Sequence, residues 1–524
     1  MTSANGNWLI VAGYTAGLVL LGVLLARRRP DTVDYFLASR GSTWPVIGLA
    51  LLASNLSSTA LVGLAGGAYS IGICVYDYEW TAVLVLVFYC VFLLPAVISS
   101  GVFTMPEFLE RRYDRRVRLL FAALTLFLNV FVDSAGVLYS GALVCQTLFP
   151  GWSLAWIVAI LAGAAALYTT LGGLRAVLYT EVVQALVLMI GSPLIAYNAL
   201  RDAGGWHAVM SRVAPAALSL IRPAGDPGVP WPGLLLGIPV LGFYYWCTNQ
   251  TIVQRVLSAR NLDQARWGTL FAGLLKLPAL FLIVLPGICA LVLFPHLPRA
   301  DLVYPRLIMR ALPRSLLGVV AAGFVAATMV SIGSTLNSAS TLITMDVVKS
   351  FAPRLSDRQL VATGRASTAA LLIIAVLWAP QLRHFPSLWQ YLQAVLAYVV
   401  PPVVALFLVG RFWRGATAGA AAATMWIGSA CGITLFLSNV VFRWSHWHFL
   451  YAAPVLLAID TALLVGVSLA RPVAATPRVD ALVWRRTPRH ERGRRPGAPA
   501  AWRDYRWQAA ALLAITGAIV IAFR

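Results

Sequence analysis

Charged side chains are scarce in this sequence, and lysine is almost missing. Asp, Glu, Lys and Arg make up 11% of the 524 residues, and the chain has only two Lys beside 38 Arg. Soluble globular domains average about 25% charged residues, whereas 60% of this chain is hydrophobic. The composition therefore excludes a soluble globular protein, and we do not expect an enzyme.

Cysteine and histidine are also few, with six of each. The cysteines lie singly inside apolar segments without a Cys-x-x-Cys pair, and no two histidines have convincing metal-ligand spacing. We therefore expect cysteines that pack as small apolar side chains, no disulfide framework, no metal centre and no bound cofactor.

The net charge of +21 does not by itself indicate nucleic-acid binding, because the Arg residues cluster in short connections between apolar runs. Basic residues resist translocation across a membrane, so such clusters mark cytoplasmic loops. We expect the lipid bilayer as a partner and no nucleic acid.

Apolar runs recur along almost the whole chain. A hydrocarbon core of about 30 Å needs about 20 apolar residues for each helical crossing. We predict an all-α integral membrane protein with about 14 transmembrane helices. The predicted spans are 8–26, 44–72, 78–100, 117–148, 153–170, 177–200, 231–257, 266–294, 316–347, 363–380, 387–410, 415–437, 449–470 and 507–523.

Two segments near the ends need separate interpretation. The run 8–26 is too long for the apolar region of a signal peptide and is followed by three Arg, so we expect a retained helix with its N-terminus outside. The linker 471–506 carries ten Arg against three acidic residues, and we predict a mobile cytoplasmic segment. It contacts anionic lipid or is simply solvated, and both interpretations stay open.

Polar residues interrupt the second span at residues 53–59, Ala-Ser-Asn-Leu-Ser-Ser-Thr. Small hydroxyl side chains compete for backbone hydrogen bonds and favour local unwinding. Unwound backbone at membrane depth is tolerated where it lines a cavity or is covered by protein, and its freed carbonyls suit a small cation. The alternative is that these small residues serve helix packing.

A second polar run lies within the span 316–347. Ser331, Ser334, Thr335 and Ser338 recur at steps of three and four residues, which places their hydroxyls on one helical face. That face meets either an ion or another helix. Two separated polar interruptions in one many-helix chain together favour the ion.

Several charged residues lie in or near the spans, among them Glu79, Asp133, Glu181 and Lys276. Lys276 either pairs with a carboxylate such as Glu79 and contacts a hydroxylated solute, or extends to the membrane interface. Asp133 and Glu181 either belong to an ion pathway or pair with an Arg. A charge at the centre of a membrane helix costs about 2.5–3.5 kcal/mol, so each of these residues is expected to have a compensating partner or a functional role.

Aromatic and amide side chains complete a possible solute site. Residues 244–246, Tyr-Tyr-Trp, offer rings for stacking, and Gln390 and Gln393 offer amides beside Tyr391. This combination suits stacking on a sugar-like solute and hydrogen bonding to it. The rings alone would be ordinary core residues.

At these positions the sequence resembles the sodium:solute symporter family, and most closely its sodium/glucose cotransporter branch. The resemblance covers about residues 34 to 415. The matching segments are 34–38, 53–58, 78–80, 104–109, 171–177, 245–250, 253–255, 336–342, 345–346, 391–393 and 401–402.

The resemblance implies a five-plus-five inverted-repeat core with broken first and sixth core helices and transport by alternating access. The implied divisions are an extra N-terminal helix and basic loop (1–43), a first repeat (44–203), an extracellular loop (204–230), a second repeat (231–412), flanking helices (413–470), the basic linker (471–506) and a C-terminal helix (507–524).

The resemblance also implies a main sodium site made from three backbone carbonyls and a hydroxyl. The carbonyls are those of Ala53, Leu56 and Ala327, and the hydroxyl is that of Ser331. Val330 occupies the position of a second hydroxyl in the family, so one oxygen ligand is missing. A second sodium region maps to Glu181, where the family usually has Asp, and to Ser334.

The implied solute site departs from the family at two of its positions. Ala60 replaces a usual His or Gln, and Gly242 replaces a frequent Asn or Thr. The matching positions implied by the resemblance are Asn55, Glu79, Tyr245, Trp246, Lys276 and Gln393, with Tyr245 as an inner aromatic gate.

The leading hypothesis is a sodium-coupled symporter that imports a sugar, polyol or related small solute through a bacterial inner membrane, with sodium as coupling ion. The alternative is a proton-coupled or sodium-independent carrier of the same fold, motivated by Val330. A non-transporting sensor is a third hypothesis. The identity of the solute, the stoichiometry and the oligomeric state stay open.

Overall fold

The structure is a computed structural model that describes residues 40–148, 151–312, 314–385, 387–474, 476–484 and 504–524, with single positions at 13, 17 and 37. The predicted span 8–26 and most of the linker 471–506 therefore lie outside the described residues. Within the described residues the chain is almost entirely helical, and its only β features are the isolated bridges Ser42 to Ala259 and Arg222 to Pro230.

The helices that matter here are numbered in chain order. They are α1 (Trp44–Asn55), α2 (Ser58–Ile71), α3 (Ile73–Ser100), α4 (Met105–Arg112), α5 (Arg115–Thr147), α6 (Leu154–Asp202), α7 (Gly205–Arg212), α8 (Gly233–Thr248), α9 (Gln250–Leu257), α10 (Leu262–Leu293), α11 (Val303–Ala311), α12 (Arg314–Thr341), α13 (Asp357–His384), α14 (Leu388–Val399), α15 (Pro401–Phe412), α16 (Ala418–Val441), α17 (Phe449–Ala470), α18 (Pro477–Leu482) and α19 (Tyr505–Ala522).

Seven of the described helices are long and apolar enough to cross a bilayer, and two bent pairs bring that number to nine. The bent pairs are α1 with α2, at 56°, and α14 with α15, at 51°. Most predicted spans coincide with helices to within a few residues. The total of 14 stays a prediction, because the first predicted span lies outside the described residues.

One predicted boundary is absent from the structure. The spans 153–170 and 177–200 were expected to be separate, but helical structure continues through α6 for 49 residues. No proline interrupts the expected connection, and Gly172 with Gly173 weakens a helix without ending it. At 1.5 Å per residue, α6 is about 74 Å long, more than twice the hydrocarbon core of about 30 Å, and it has no turn between the two predicted crossings.

The interior is built around α1 and α12. The helix α1 packs against α6 and α10, and α12 packs against α6, α5 and α13. The helices α16 and α17 pack together and against α14 and α15, on one side of this group, while α19 lies against α10. The polar interruptions of α1 and α12 are therefore buried within protein.

Glycine allows α5 and α12 to come unusually close. A Cβ atom added at Gly141 of α5 would lie 2.3 Å from the Cγ2 of Thr328, which is fully buried on α12. Such a distance is far inside van der Waals contact, so a side chain at this position requires the helices to move apart. The close approach of α5 to α12 at this point therefore requires a glycine at position 141.

We expect Gly141→Leu to destabilise the protein by about 1–3 kcal/mol, because overpacking a close helix contact forces displacement. The measurement is the temperature at which half of the detergent-purified protein loses its monodisperse gel-filtration peak. Gly466→Leu is the matched control, because nothing lies within 4 Å of that position on the exposed side of α17. Equal melting temperatures for the two variants would contradict this packing.

Candidate functional site

A cavity lies in the interior at the break between α1 and α2. Its volume is about 140 Å³. One water needs about 10–15 Å³ of such volume, so the cavity accommodates on the order of ten waters, or a solute of about a dozen heavy atoms. All eight predicted solute-site residues lie on its wall: Asn55, Ala60, Glu79, Gly242, Tyr245, Trp246, Lys276 and Gln393.

The break between α1 and α2 follows from the side chain of Ser57. The Ser57 hydroxyl accepts a hydrogen bond from the amide of Ala60, at 3.4 Å, and so caps the N-terminus of α2. Leu56 has a non-helical backbone, with φ −77° and ψ 49°. The Ala60 amide is thus diverted from the Leu56 carbonyl, which would be its partner in a continuous helix. The predicted unwinding is confirmed, and it frees carbonyl oxygens beside the cavity.

A second break lies opposite, between α8 and α9. Asn249 has an extended backbone, and its amide donates to the Tyr244 carbonyl at 2.8 Å. Its side-chain oxygen accepts from the amide of Thr251, also at 2.8 Å, which caps α9. Asn249 and Thr251 both line the cavity. Two capped helix breaks therefore face the same space.

Lys276 is the centre of the polar part of the wall. Its ammonium nitrogen lies 2.6 Å from a Glu79 carboxylate oxygen and donates a hydrogen bond to the Asn55 side-chain oxygen. It also lies 4.6 Å from the centre of the Trp246 ring, within the range of a cation–π contact. Lys276 is 2% exposed, so the alternative of extension to the membrane interface is wrong.

Aromatic rings bound the cavity on two sides. Tyr245 and Trp246 meet edge to face, with ring centres 5.1 Å apart, and Tyr78 meets Trp389 in the same way at 5.2 Å. A Cβ atom added at Gly63 would lie only 2.9 Å from the Cε3 atom of Trp389, so the absence of a side chain at Gly63 makes room for the ring. The rings provide apolar faces beside the polar group around Lys276.

Two of the four predicted sodium ligands lie at the first break. Ala53 and Leu56 belong to the end of α1 and the break itself, and Ala327 and Ser331 belong to α12, which packs across α1. Ser331 lines the cavity and is 5% exposed. Val330 is buried beside it and has no side-chain oxygen to offer. The assignment of these residues to sodium stays a prediction.

The predicted second sodium region contains a buried ion pair. Both Glu181 carboxylate oxygens accept hydrogen bonds from the Arg255 guanidinium, and both side chains are fully buried. The hydroxyls of Ser54 and Ser334 each donate to Glu181 Oε1 at 2.8 Å. Pairing of Glu181 with an Arg, one of its two interpretations, is confirmed. A cation at this position would compete with Arg255 for the carboxylate.

Asp133 also lines the cavity, which the sequence did not establish. It lies in a π-helical turn in the middle of α5, Leu128–Ser134, and shares the cavity wall with Asn249. No Arg is found paired with it among the described residues, in contrast to Glu181. Local widening of a helix often marks functional positions, but sequence gives no reliable signal for it.

The chain is similar to known proteins in sequence and in fold. A profile of the sodium:solute symporter family matches residues 35–428. The human sodium/myo-inositol cotransporter is 36% identical over 453 residues, which is 77% of this chain and 63% of that protein. The chain thus spans less than two thirds of that relative. The sodium/glucose cotransporter of Vibrio parahaemolyticus is 35% identical over 441 residues, which is 78% of this chain and 81% of that protein.

Among solved structures, the chain is similar to a substrate-bound, outward-open Na⁺-coupled sialic acid symporter. The TM-score is 0.78 with 22% sequence identity, and the match covers 90% of this chain and 98% of that one. At this identity the likeness shows the fold alone. From the family profile and the relatives above 30% identity, we conclude that the chain is a multi-pass membrane protein of the sodium:solute symporter family.

Proposed function

We propose that this protein is a sodium-coupled secondary active symporter that imports a small polyhydroxylated solute, a sugar or polyol, by alternating access. The proposal rests on one observation above all. Lys276, with its contacts to Glu79 and Asn55, lies on the wall of a solute-sized cavity, beside a helix break that frees backbone carbonyls. Solute and ion ligands thus share one short segment of chain.

The chemistry of the wall suits a hydroxylated solute. Lys276 donates hydrogen bonds, Glu79 accepts them, and Gln393 does both. Tyr245 and Trp246 add ring faces on which the C–H face of a sugar or cyclitol packs. The names of the relatives, glucose and myo-inositol cotransporters, support the same solute class.

Sodium provides the driving force in this proposal. The carbonyls of Ala53, Leu56 and Ala327 and the hydroxyl of Ser331 hold the ion where α1 unwinds. One sodium entering down about 100 mV releases about 2.3 kcal/mol. At about 1.4 kcal/mol for each factor of ten, this sustains a solute gradient of about 40-fold before any sodium gradient is added.

Alternating access is proposed to follow from the five-plus-five repeat. Each repeat contributes one broken helix to the cavity, α1 with α2 and α8 with α9. The caps at Ser57 and Asn249 hold each break in a defined geometry without a continuous helix. Movement of one group of helices against the other at these two points would open the cavity to one side at a time.

Val330 favours a second candidate, a carrier of the same fold that uses a proton or no coupling ion, because one ligand of the sodium shell is missing. Uptake of labelled glucose and myo-inositol into proteoliposomes, with sodium or with potassium outside, separates the two. We expect uptake to require external sodium. Equal uptake in both salts would overturn sodium coupling and favour the second candidate.

Substitutions at the sodium shell should move sodium affinity in opposite directions. We expect Ser331→Ala to raise the sodium concentration for half-maximal uptake about tenfold or more, because interactions with charged groups are worth about 1.5–3 kcal/mol each. Val330→Ser should lower that concentration, because it adds an oxygen ligand. The measurement is initial uptake rate against external sodium concentration.

Thr434→Val is the control for both variants, because it removes a hydroxyl from an exposed position on α16 and leaves the cavity intact. Its sodium dependence should equal that of the wild type. Unchanged sodium dependence in Ser331→Ala and Val330→Ser would show that sodium does not bind at these two positions.

Lys276→Met should abolish uptake and destabilise the protein by about 3–5 kcal/mol, because Glu79 is left as an unpaired buried charge. The double variant Lys276→Met with Glu79→Gln should recover thermal stability but not uptake, since the charge is gone and so are the solute contacts. Wild-type uptake by either variant would show that the pair serves the fold alone.

A further inference from the structure

We propose that Asp133 is a solute-binding carboxylate and that the solute carries a protonated amine, as an amino sugar or amino-substituted cyclitol does. This inference rests on the proposed transport function and narrows its solute class. It comes from the charge balance of the cavity, from the surroundings of Asp133 and from its position relative to Lys276.

The charge balance of the cavity is uneven. Three of its lining side chains are ionisable as carboxylates or ammonium groups: Glu79, Asp133 and Lys276. Glu79 and Lys276 neutralise one another at 2.6 Å. The nearby carboxylate of Glu181 is likewise matched by Arg255. Asp133 is left with no cationic partner among the described residues, so the cavity carries one net negative charge when Asp133 is ionised.

The neighbourhood of Asp133 is arranged to hold a carboxylate in place. Asn249 already uses its backbone amide on Tyr244 and its side-chain oxygen on the Thr251 amide. Its side-chain NH₂ is therefore the donor that Asn249 has left for a carboxylate on the same cavity wall, such as Asp133. Asp133 is only partly buried, so its carboxylate keeps acceptor capacity towards the cavity.

An unmatched charge in a membrane protein needs a compensating partner. Insertion of a carboxylate at the centre of a membrane helix costs about 2.5–3.5 kcal/mol, and one neutral amide does not balance a full charge. A solute ammonium would supply the missing positive charge when it binds. A neutral solute would have to displace water from Asp133 without replacing its charge, which lowers its affinity.

The positions of the polar groups suit a single bifunctional solute. Tyr245, Asp133 and Glu79 all line the same cavity. A ring-shaped solute packed on Tyr245 would present hydroxyls to Glu79 and Lys276 and an amine to Asp133. Gly242 and Ala60, without bulky side chains, leave room on the same wall.

The test compares solutes that differ only by amine against hydroxyl. Glucosamine and glucose form one pair, and an inosamine and myo-inositol form another. Binding is measured as thermal stabilisation of the purified full chain in sodium, as a function of solute concentration. For the wild type, we expect the preferred amine to act at a concentration at least tenfold below that of its neutral partner. Charge-assisted hydrogen bonds justify this factor.

Asp133→Asn keeps the size of the side chain and removes its charge, and we expect it to reduce the amine preference to less than threefold. Asp460→Asn is the matched control, because it removes another buried carboxylate, on α17 and outside the cavity wall. It should keep the wild-type preference. If Asp133→Asn does not fold, the wild-type comparison alone decides whether the amine is preferred.

Several results would overturn the proposal. One is equal or better binding of the neutral members by the wild type, and another is an amine preference that survives in Asp133→Asn. A third is a shift in sodium requirement without a change in amine preference, which would make Asp133 an ion ligand. Binding of none of the four solutes would also exclude this solute class. The proposed function itself fails only if uptake across a broad solute panel is indifferent to sodium.

Discussion

Backbone amides and carbonyls inside a bilayer need hydrogen-bond partners, and this constraint governs the structure. Two helices break at membrane depth, and side chains replace the lost backbone bonds. Ser57 accepts from Ala60 at one break, and Asn249 accepts from Thr251 at the other. Because these caps satisfy the amides, the carbonyls are the groups left over. The same constraint thus leaves carbonyl oxygens without helical partners beside a cavity.

Charged side chains inside the membrane also need partners. Each intramembrane charge near the breaks is either paired within the protein or faces the cavity. Glu181 is paired with Arg255, and Glu79 with Lys276. These pairs differ in position, since the first is sealed and the second lies on the cavity wall. The fully buried pair Glu181–Arg255 holds helices together. The pair Glu79–Lys276 lies on the cavity wall and keeps hydrogen-bonding capacity for a solute.

Much of the site was predictable from sequence because it depends on residue types that are costly in a membrane. The unwinding at 53–59, the partnership of Lys276 with Glu79 and the cavity position of Gln393 follow from such residues. Asp133 was visible as a charge, but its place on the cavity wall was not, because it shares that wall with residues such as Asn249, 116 positions away at a helix break. The continuity of α6 was missed because glycine pairs weaken helices without specifying where they end.

The departures from the family pattern have a common electrostatic consequence. Under the proposed function, Ala60 and Gly242 offer the solute no hydrogen-bonding side chain and Val330 offers sodium no oxygen, so uncharged contacts to both would be fewer. Asp133 adds a charge to the same cavity. If the solute is a cation, each cycle carries its charge together with that of sodium, and the membrane potential contributes about 4.6 kcal/mol per 100 mV instead of about 2.3. This electrical driving force depends on the charge carried in each cycle and not on the affinity of the sodium site.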